Sequence, residues 1–229
     1  MITTNVINRV FHIRVGSMTG TAFTIEDDKK QYLVTAAHVV ASAKPPYRIE
    51  IYHEKKWKAL ELALTGICSV ADTAVFAPSF QLSPAFDLPA TSAGLVYGQD
   101  VYFLGFPYGI FAEAGALNRD FPFPLAKKAC LSAFMDGDHG AKILLLDGHN
   151  NPGFSGGPVV FSEHGKPIGS SFRVTGVISG FRFAEEPAYH GGAPTPVTVR
   201  SNTGIIIAYD IKHAIEEIRK NPNGATIQA

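Results

Sequence analysis

Short runs of β-branched and aromatic residues recur along this chain, and turn residues divide them almost everywhere. Residues 10–15, 22–25, 32–35, 48–52, 62–67 and 73–76 form a first series of such runs, and 100–104, 129–134, 142–146, 158–161, 175–179 and 204–208 form a second. Period and composition of this kind predict strands, so the chain is expected to be all-β in two halves of similar strand count. Between them, residues 78–94 are rich in Pro, Ser and Ala with few periodic apolar positions. That stretch reads as a surface connector, with a boundary near residue 90 separating units 1–90 and 91–229. One helix is expected at the end of the second unit: Asp210 caps it, Ile211, Ile215 and Ile218 share a face, and Asn221-Pro222 stops it. Residues 187–196 hold five Pro or Gly in ten and are expected to form an irregular loop.

Composition narrows the functional classes. A chain of 229 residues with 46% hydrophobic and 17% charged residues can bury about 70% of its unfolded surface, which argues against disorder and against dependence on metal or disulfide staples. Its Lys and Arg balance its Asp and Glu at 20 each, so nothing attracts it generally to nucleic acid or anionic lipid. The most apolar stretch, residues 101–117, contains Pro107, Glu113 and three glycines, which excludes a membrane span. Cys68 and Cys130 lack metal-site or redox spacing and read as buried free thiols. Residues 1–10 carry no leader pattern, so a cytoplasmic location is expected. Oligomeric state is not written in the chain.

Three strings carry chemistry. In Asn151-Pro152-Gly153-Phe154-Ser155-Gly156-Gly157-Pro158 a serine is bracketed by glycines just before an apolar strand. A serine hydroxyl is a weak nucleophile, and a hydrolase needs the target carbonyl held by backbone N–H groups; a tight glycine turn suits that demand, with Gly153 and Ser155 as donors. Leu33-Val34-Thr35-Ala36-Ala37-His38 runs a strand into small residues and a histidine, which alone reads equally as a core imidazole. Ala71-Asp72-Thr73-Ala74-Val75-Phe76 opens an apolar strand with a carboxylate, and an Asp so placed wants a donor. His38 is a candidate for that donor.

Together, and in this order, the three strings resemble the trypsin/chymotrypsin superfamily of serine peptidases. Gly20-Thr21-Ala22-Phe23, Gly105-Phe106-Pro107-Tyr108-Gly109 and Asn151-Pro152 are similar to the bacterial HtrA-like branch, over about residues 10–218, with no room for a PDZ domain to follow. The resemblance implies a double β-barrel of the trypsin-like type with one C-terminal helix and a site in the cleft between barrels. It implies His38 as general base, Asp72 as its orienting partner, Ser155 as nucleophile, Gly153 and Ser155 as the oxyanion hole, no cofactor or metal, and protein or peptide substrates.

The chain departs from the digestive members in two places. Phe154 stands where they carry an aspartate that pairs with a newly cleaved amino terminus, so no zymogen activation is expected and the turn must be ordered otherwise. His149 stands where a trypsin-type pocket has its acidic floor, so basic specificity loses its support; it reads either as a selector of acidic or polar side chains or as a loop-stabilising residue. Ser179, Gly180 and Phe181 are expected to form the other pocket wall and to bind substrate backbone as an added strand, with Phe181 favouring small or medium apolar side chains. Asp136–Gly140 reads as a hairpin turn rather than a metal site. Two rivals stay open: a silent trypsin-fold peptide-binding protein, and an α/β-hydrolase esterase using Asp210 and His213, which would need a strand–elbow–helix that Pro158 and the run after it do not supply.

Overall fold

A computed structural model of the protein describes residues 2–163, 165–166 and 172–228. After a single helical turn, α1 (Thr4–Ile7), the first strands are β1 (Val10–Val15), β2 (Met18–Asp27), β3 (Lys30–Ala36), β4 (Tyr47–His53), β5 (Lys56–Cys68) and β6 (Thr73–Pro78). They pair antiparallel in the order β3, β2, β1, β4, β5, β6, and β6 returns to β3, so the sheet closes. The second set is β7 (Asp100–Gly105), β8 (Leu125–Asp136), β9 (Lys142–Asp147), β10 (Pro158–Ser162), β11 (Phe172–His190) and β12 (Ala193–Asp210), a closed barrel in the order β10, β11, β12, β9, β8, β7. The fold is the expected all-β double barrel, and α2 (Lys212–Lys220) is its C-terminal helix. The last strand, β13 (Ala225–Thr226), comes back to pair with β3 of the first sheet.

Burial explains why some strands alternate and others do not. β5 lies on the outside and alternates, whereas β3, β6 and β10 are buried along nearly their whole length. One face of each of those three fills a barrel, and the other is covered by the opposite barrel or the terminal helix, so both faces must be apolar. The apolar side chains accordingly form three clusters. One fills the first barrel around Phe11, Ile49 and Phe76, and another fills the second around Phe103, Leu146 and Phe161. The third lies between them, where Phe23, Leu104 and Val177 meet Ile211, Ile215 and Ile218 of the helix region. Burying each isoleucine stabilises the helix contact by about 1.5–3 kcal/mol. The N-cap position falls on Ile211 rather than on Asp210, which stands one residue before it and accepts the Lys212 N–H through Oδ1 at 2.8 Å, and Arg219 and Lys220 sit in the last turn, where cations favour the helix dipole.

Two expectations are corrected. Residues 187–196 are not an irregular loop: β11 runs to His190 and β12 starts at Ala193, joined through Gly191-Gly192 with φ of 57° and 83°. Two successive positive φ values make the tight turn whose twist matches a hairpin, and Pro187 lies beside a register shift where a missing N–H costs no ladder bond. The connector is also more than a surface strap. Leu82, Ser83 and Leu88 are buried, the Gln31 side chain accepts from the N–H groups of Leu82 and Ser83, and Ala90 bridges to Val174. Two of its backbone donors are satisfied by one buried amide, which helps irregular chain go inside. Residues 136–140 do form a hairpin connection, from β8 to β9. Cys68 and Cys130 are free but half-buried rather than buried as expected, no helix among the described residues is long and apolar enough to cross a membrane, and no His/Cys/Asp/Glu cluster among them could hold a metal.

His12 is a cost inside the first sheet. It is 3% exposed, stacks on Phe106 with ring centres 4.8 Å apart, meets Trp57 edge-on, and neither ring nitrogen finds a partner among the described residues. Burial first, and the nearby Arg14 cation second, push its pKa from 6.5 to about 4. The folded state therefore binds fewer protons than the unfolded chain between those values, and stability rises with pH there. His12 is expected to remove about 3 kcal/mol as the pH falls from 6.5 to 4. Urea unfolding of the protein and of His12→Phe across that range measures it: the variant should lose less by about that amount, and parallel curves would refute the assignment.

Candidate active site

Strand pairing brings the first two site residues together. β3 and β6 lie side by side with Ala36 opposite Thr73, so the residues just past the end of β3 face those just before β6. His38 lies in a short 3₁₀ turn, Ala37–Val40, and Asp72 ends another, Ser69–Ala71. Asp72 adopts φ 42°, ψ 41°, a left-handed conformation that Asp tolerates better than most residues and that points its carboxylate back at the histidine. The Ala37 N–H donates to the Asp72 carbonyl at 2.9 Å and the His38 N–H to Asp72 Oδ1 at 2.9 Å. His38 Nδ1 lies 2.7 Å from Asp72 Oδ2.

A third donor completes the carboxylate. Ser179 Oγ donates to Asp72 Oδ2 at 2.6 Å, from β11 of the other barrel. Burial is the largest single influence on Asp72 and opposes its charge, but the hydrogen bonds from His38 and Ser179 with the imidazole's field outweigh it and hold the carboxyl below its ordinary range. An ionised carboxylate only accepts, so His38 Nδ1 carries the proton and Nε2 is left as the basic nitrogen. The Ser179 side chain thus sits at the carboxylate and not in a pocket wall as expected; nothing in the sequence around it signalled that role.

The Gly153–Gly157 turn follows β9 and leads into β10 at the seam between barrels. Ser155 Oγ donates to the Ser179 carbonyl at 3.0 Å, so the hydroxyl is held at the same residue that buttresses Asp72, and its hydrogen bond does not go to His38. Gly153 has φ 105°, and a Cβ there would lie 2.4 Å from the Phe106 carbonyl; one on Gly156, at φ 83°, would lie 2.1 Å from the Thr21 carbonyl. Only glycine fits either place. Among the described residues no acceptor meets the N–H of Gly153 or of Ser155. Phe154 between them is fully buried in the second barrel, edge-on to Phe103 at 4.8 Å, which packs the turn against that core.

Thr21 is a contributor whose part the sequence did not reveal. Its N–H donates to the Ser155 carbonyl at 2.9 Å, its Oγ1 donates to the Gly153 carbonyl at 2.7 Å, and the Phe106 N–H reaches the same Oγ1 at 3.2 Å. A strand of one barrel thereby clamps the turn of the other, and the Tyr108 N–H holds the Pro152 carbonyl at 2.9 Å from the remaining side.

Beside the turn opens a cleft of ≈ 350 Å³ bounded by residues 149–152, Phe181, Phe183, Arg200 and Asn202. Of the residues expected in a pocket, His149 and Phe181 line it. Gly180 supports its wall through its carbonyl, which accepts from buried Asn150 at 3.1 Å, and Asn202 in turn donates to the Asn150 carbonyl at 2.7 Å. Asn150, Asn202 and Arg200 were not legible in the sequence; for Arg200 and Asn202 the reason is that residues 187–196, the turn end of the long β11–β12 ribbon, were read as loop and the flanking residues as no strand.

The comparisons agree with this architecture. The family model described as trypsin-like peptidase domain matches residues 20–169. No curated protein matches the sequence. Among solved structures, the active form of the Rv3671c protease of M. tuberculosis superposes with a TM-score of 0.64 at 19% identity, covering 98% of this chain and 88% of that one. The HtrA-type protease AlgW, solved with a tripeptide, superposes with a TM-score of 0.62 at 21% identity, over 94% of this chain and 60% of AlgW. This chain therefore spans about 60% of the length of AlgW. Likeness at that identity speaks for the fold, while the family match speaks for descent: the chain belongs to the trypsin-like peptidase family.

Proposed function

We propose that the protein is a serine endopeptidase that cleaves peptide bonds through an acyl-enzyme intermediate. The observation that carries the reading is the set of contacts that joins His38 to Asp72, Asp72 to the Ser179 hydroxyl and the Ser179 carbonyl to Ser155, beside two backbone N–H groups that meet no acceptor among the described residues. Rotation of the Ser155 side chain about Cα–Cβ turns its hydroxyl from the Ser179 carbonyl toward the imidazole. His38 Nε2 then takes the proton as Oγ attacks, Asp72 stabilises the imidazolium, and the N–H groups of Gly153 and Ser155 receive the oxyanion. His38 next protonates the leaving amine, and water repeats the sequence on the ester. Each N–H donor is expected to contribute about 3–4 kcal/mol to the barrier reduction, as oxyanion donors do elsewhere.

The silent peptide-binding reading differs in one observable. A fluorophosphonate probe is expected to form a stable adduct on Ser155 and to leave His38→Ala and Ser155→Ala unlabelled, with casein hydrolysis lost in the same two variants. A folded protein that resists the probe, or a His38→Ala variant labelled as fast as the parent, would sink the catalytic assignment and favour a binding groove.

A further inference from the structure

The cleft beside the nucleophile turn has an uneven charge inventory. Arg200 on β12 lies with its guanidinium 4.4 Å above the Phe183 ring and donates through Nε to Glu185 at 2.9 Å, leaving its Nη1 and Nη2 without an acceptor among the described residues. His149 lines the same cleft and is exposed. Outside the cleft lining, Lys127 donates to the His149 carbonyl and, at 3.1 Å, to Asn151 Oδ1, and it forms no ion pair with a carboxylate among the described residues. Among the described residues no Asp or Glu lines the cleft. Glu185 is the neighbouring acid, and it is already engaged with Arg200.

Arg200 and Lys127 against Glu185 leave one positive charge in excess at and beside the cleft. A basic substrate side chain would meet repulsion there. An apolar one would have to strip water from Arg200 and His149 without offering them an acceptor, which costs more than its contact with Phe181 and Phe183 returns. A carboxylate offers both donors an acceptor and stays half hydrated, while its methylenes lie along the two rings.

From this arrangement we infer that the cleft receives an acidic side chain, Glu or Asp, on the acyl side of the scissile bond, with Arg200 as the specificity-determining residue and Lys127 and His149 supporting it. This rests on the proposed peptidase function and replaces the apolar preference drawn from Phe181 alone.

The test uses three peptides identical except for Glu, Leu or Lys before the scissile bond, with the full chain, Arg200→Ala and Arg200→Glu. Arg200 is exposed, on a ribbon outside the core, and circular dichroism checks that both variants fold. The parent is expected to cleave the Glu peptide with kcat/KM at least tenfold above the Leu and Lys peptides. Arg200→Ala should lose at least tenfold on the Glu peptide with little change on Leu, and Arg200→Glu should favour Lys. A parent that prefers Leu or Lys, or an acidic preference unchanged in both variants, would overturn the inference. Fluorophosphonate labelling of the same preparations separates the two failures: a labelled enzyme with another preference overturns only the inference, and an unlabelled protein inert on all three peptides overturns the peptidase reading with it.

Discussion

Asp72→Asn is expected to lower kcat by about 10⁴ while leaving the protein folded. Both carboxylate oxygens are committed: Oδ1 accepts the His38 backbone N–H, and Oδ2 accepts the imidazole and the Ser179 hydroxyl. An asparagine keeps its oxygen where the backbone N–H donates, which leaves its NH₂ facing His38 Nδ1. That nitrogen must then accept, its proton moves to Nε2, and the group that should take the Ser155 proton already carries one. Loss of the Asp72 charge also removes what stabilises the imidazolium. Steady-state kinetics on a cleaved peptide, with circular dichroism as the fold check, measures the effect; a loss below tenfold would show that the tautomer does not limit the reaction.

Phe154→Ala is expected to cost about 3–5 kcal/mol of stability and to reduce kcat in the molecules that remain folded. The ring is fully buried in the second barrel, and the residues on either side of it are Gly153 and Ser155, whose N–H groups are the proposed oxyanion donors. Removing the anchor lets the turn rotate, which misdirects donors that must be fixed before the charge develops. Phe161→Ala is the control, an equally buried phenylalanine of the same cluster outside the turn. Urea unfolding and kcat, read together at a temperature where both variants are folded, should give two destabilised proteins of which only Phe154→Ala is slow. Equal kcat in the pair would mean that packing of Phe154 does not order the turn.

The parts of the site that were legible were those where chemistry forces residue type and order together. Only glycine tolerates the close approaches at Gly153 and Gly156, so the turn around Ser155 stands out in the sequence, and the small residues before His38 and the apolar run after Asp72 mark strand ends. Ser179 and Thr21 were not legible as contributors to the site, because hydroxyl residues beside glycines are common and their meaning here comes from partners 107 and 132 residues away. Arg200 was hidden for a different reason. Prolines and glycines in residues 187–196 signal a loop when read locally, yet a two-glycine turn and a ladder with register shifts absorb them and lengthen the ribbon that brings Arg200 to the cleft.

By itself, the sequence determined that the chain makes strands, that they fall into two sets followed by one amphipathic helix, and that a serine, a histidine and an aspartate stand near the ends of particular strands. Those outcomes depend on interactions within a few residues: side-chain periodicity, turn conformations and caps. Only the tertiary structure decided that β3 and β6 are adjacent, that β2 clamps the nucleophile turn from across the seam, that Ser179 supports the carboxylate and that Arg200 faces the cleft. Those outcomes depend on the register of strands far apart in the chain, where a shift of one residue sends every side chain to the opposite face.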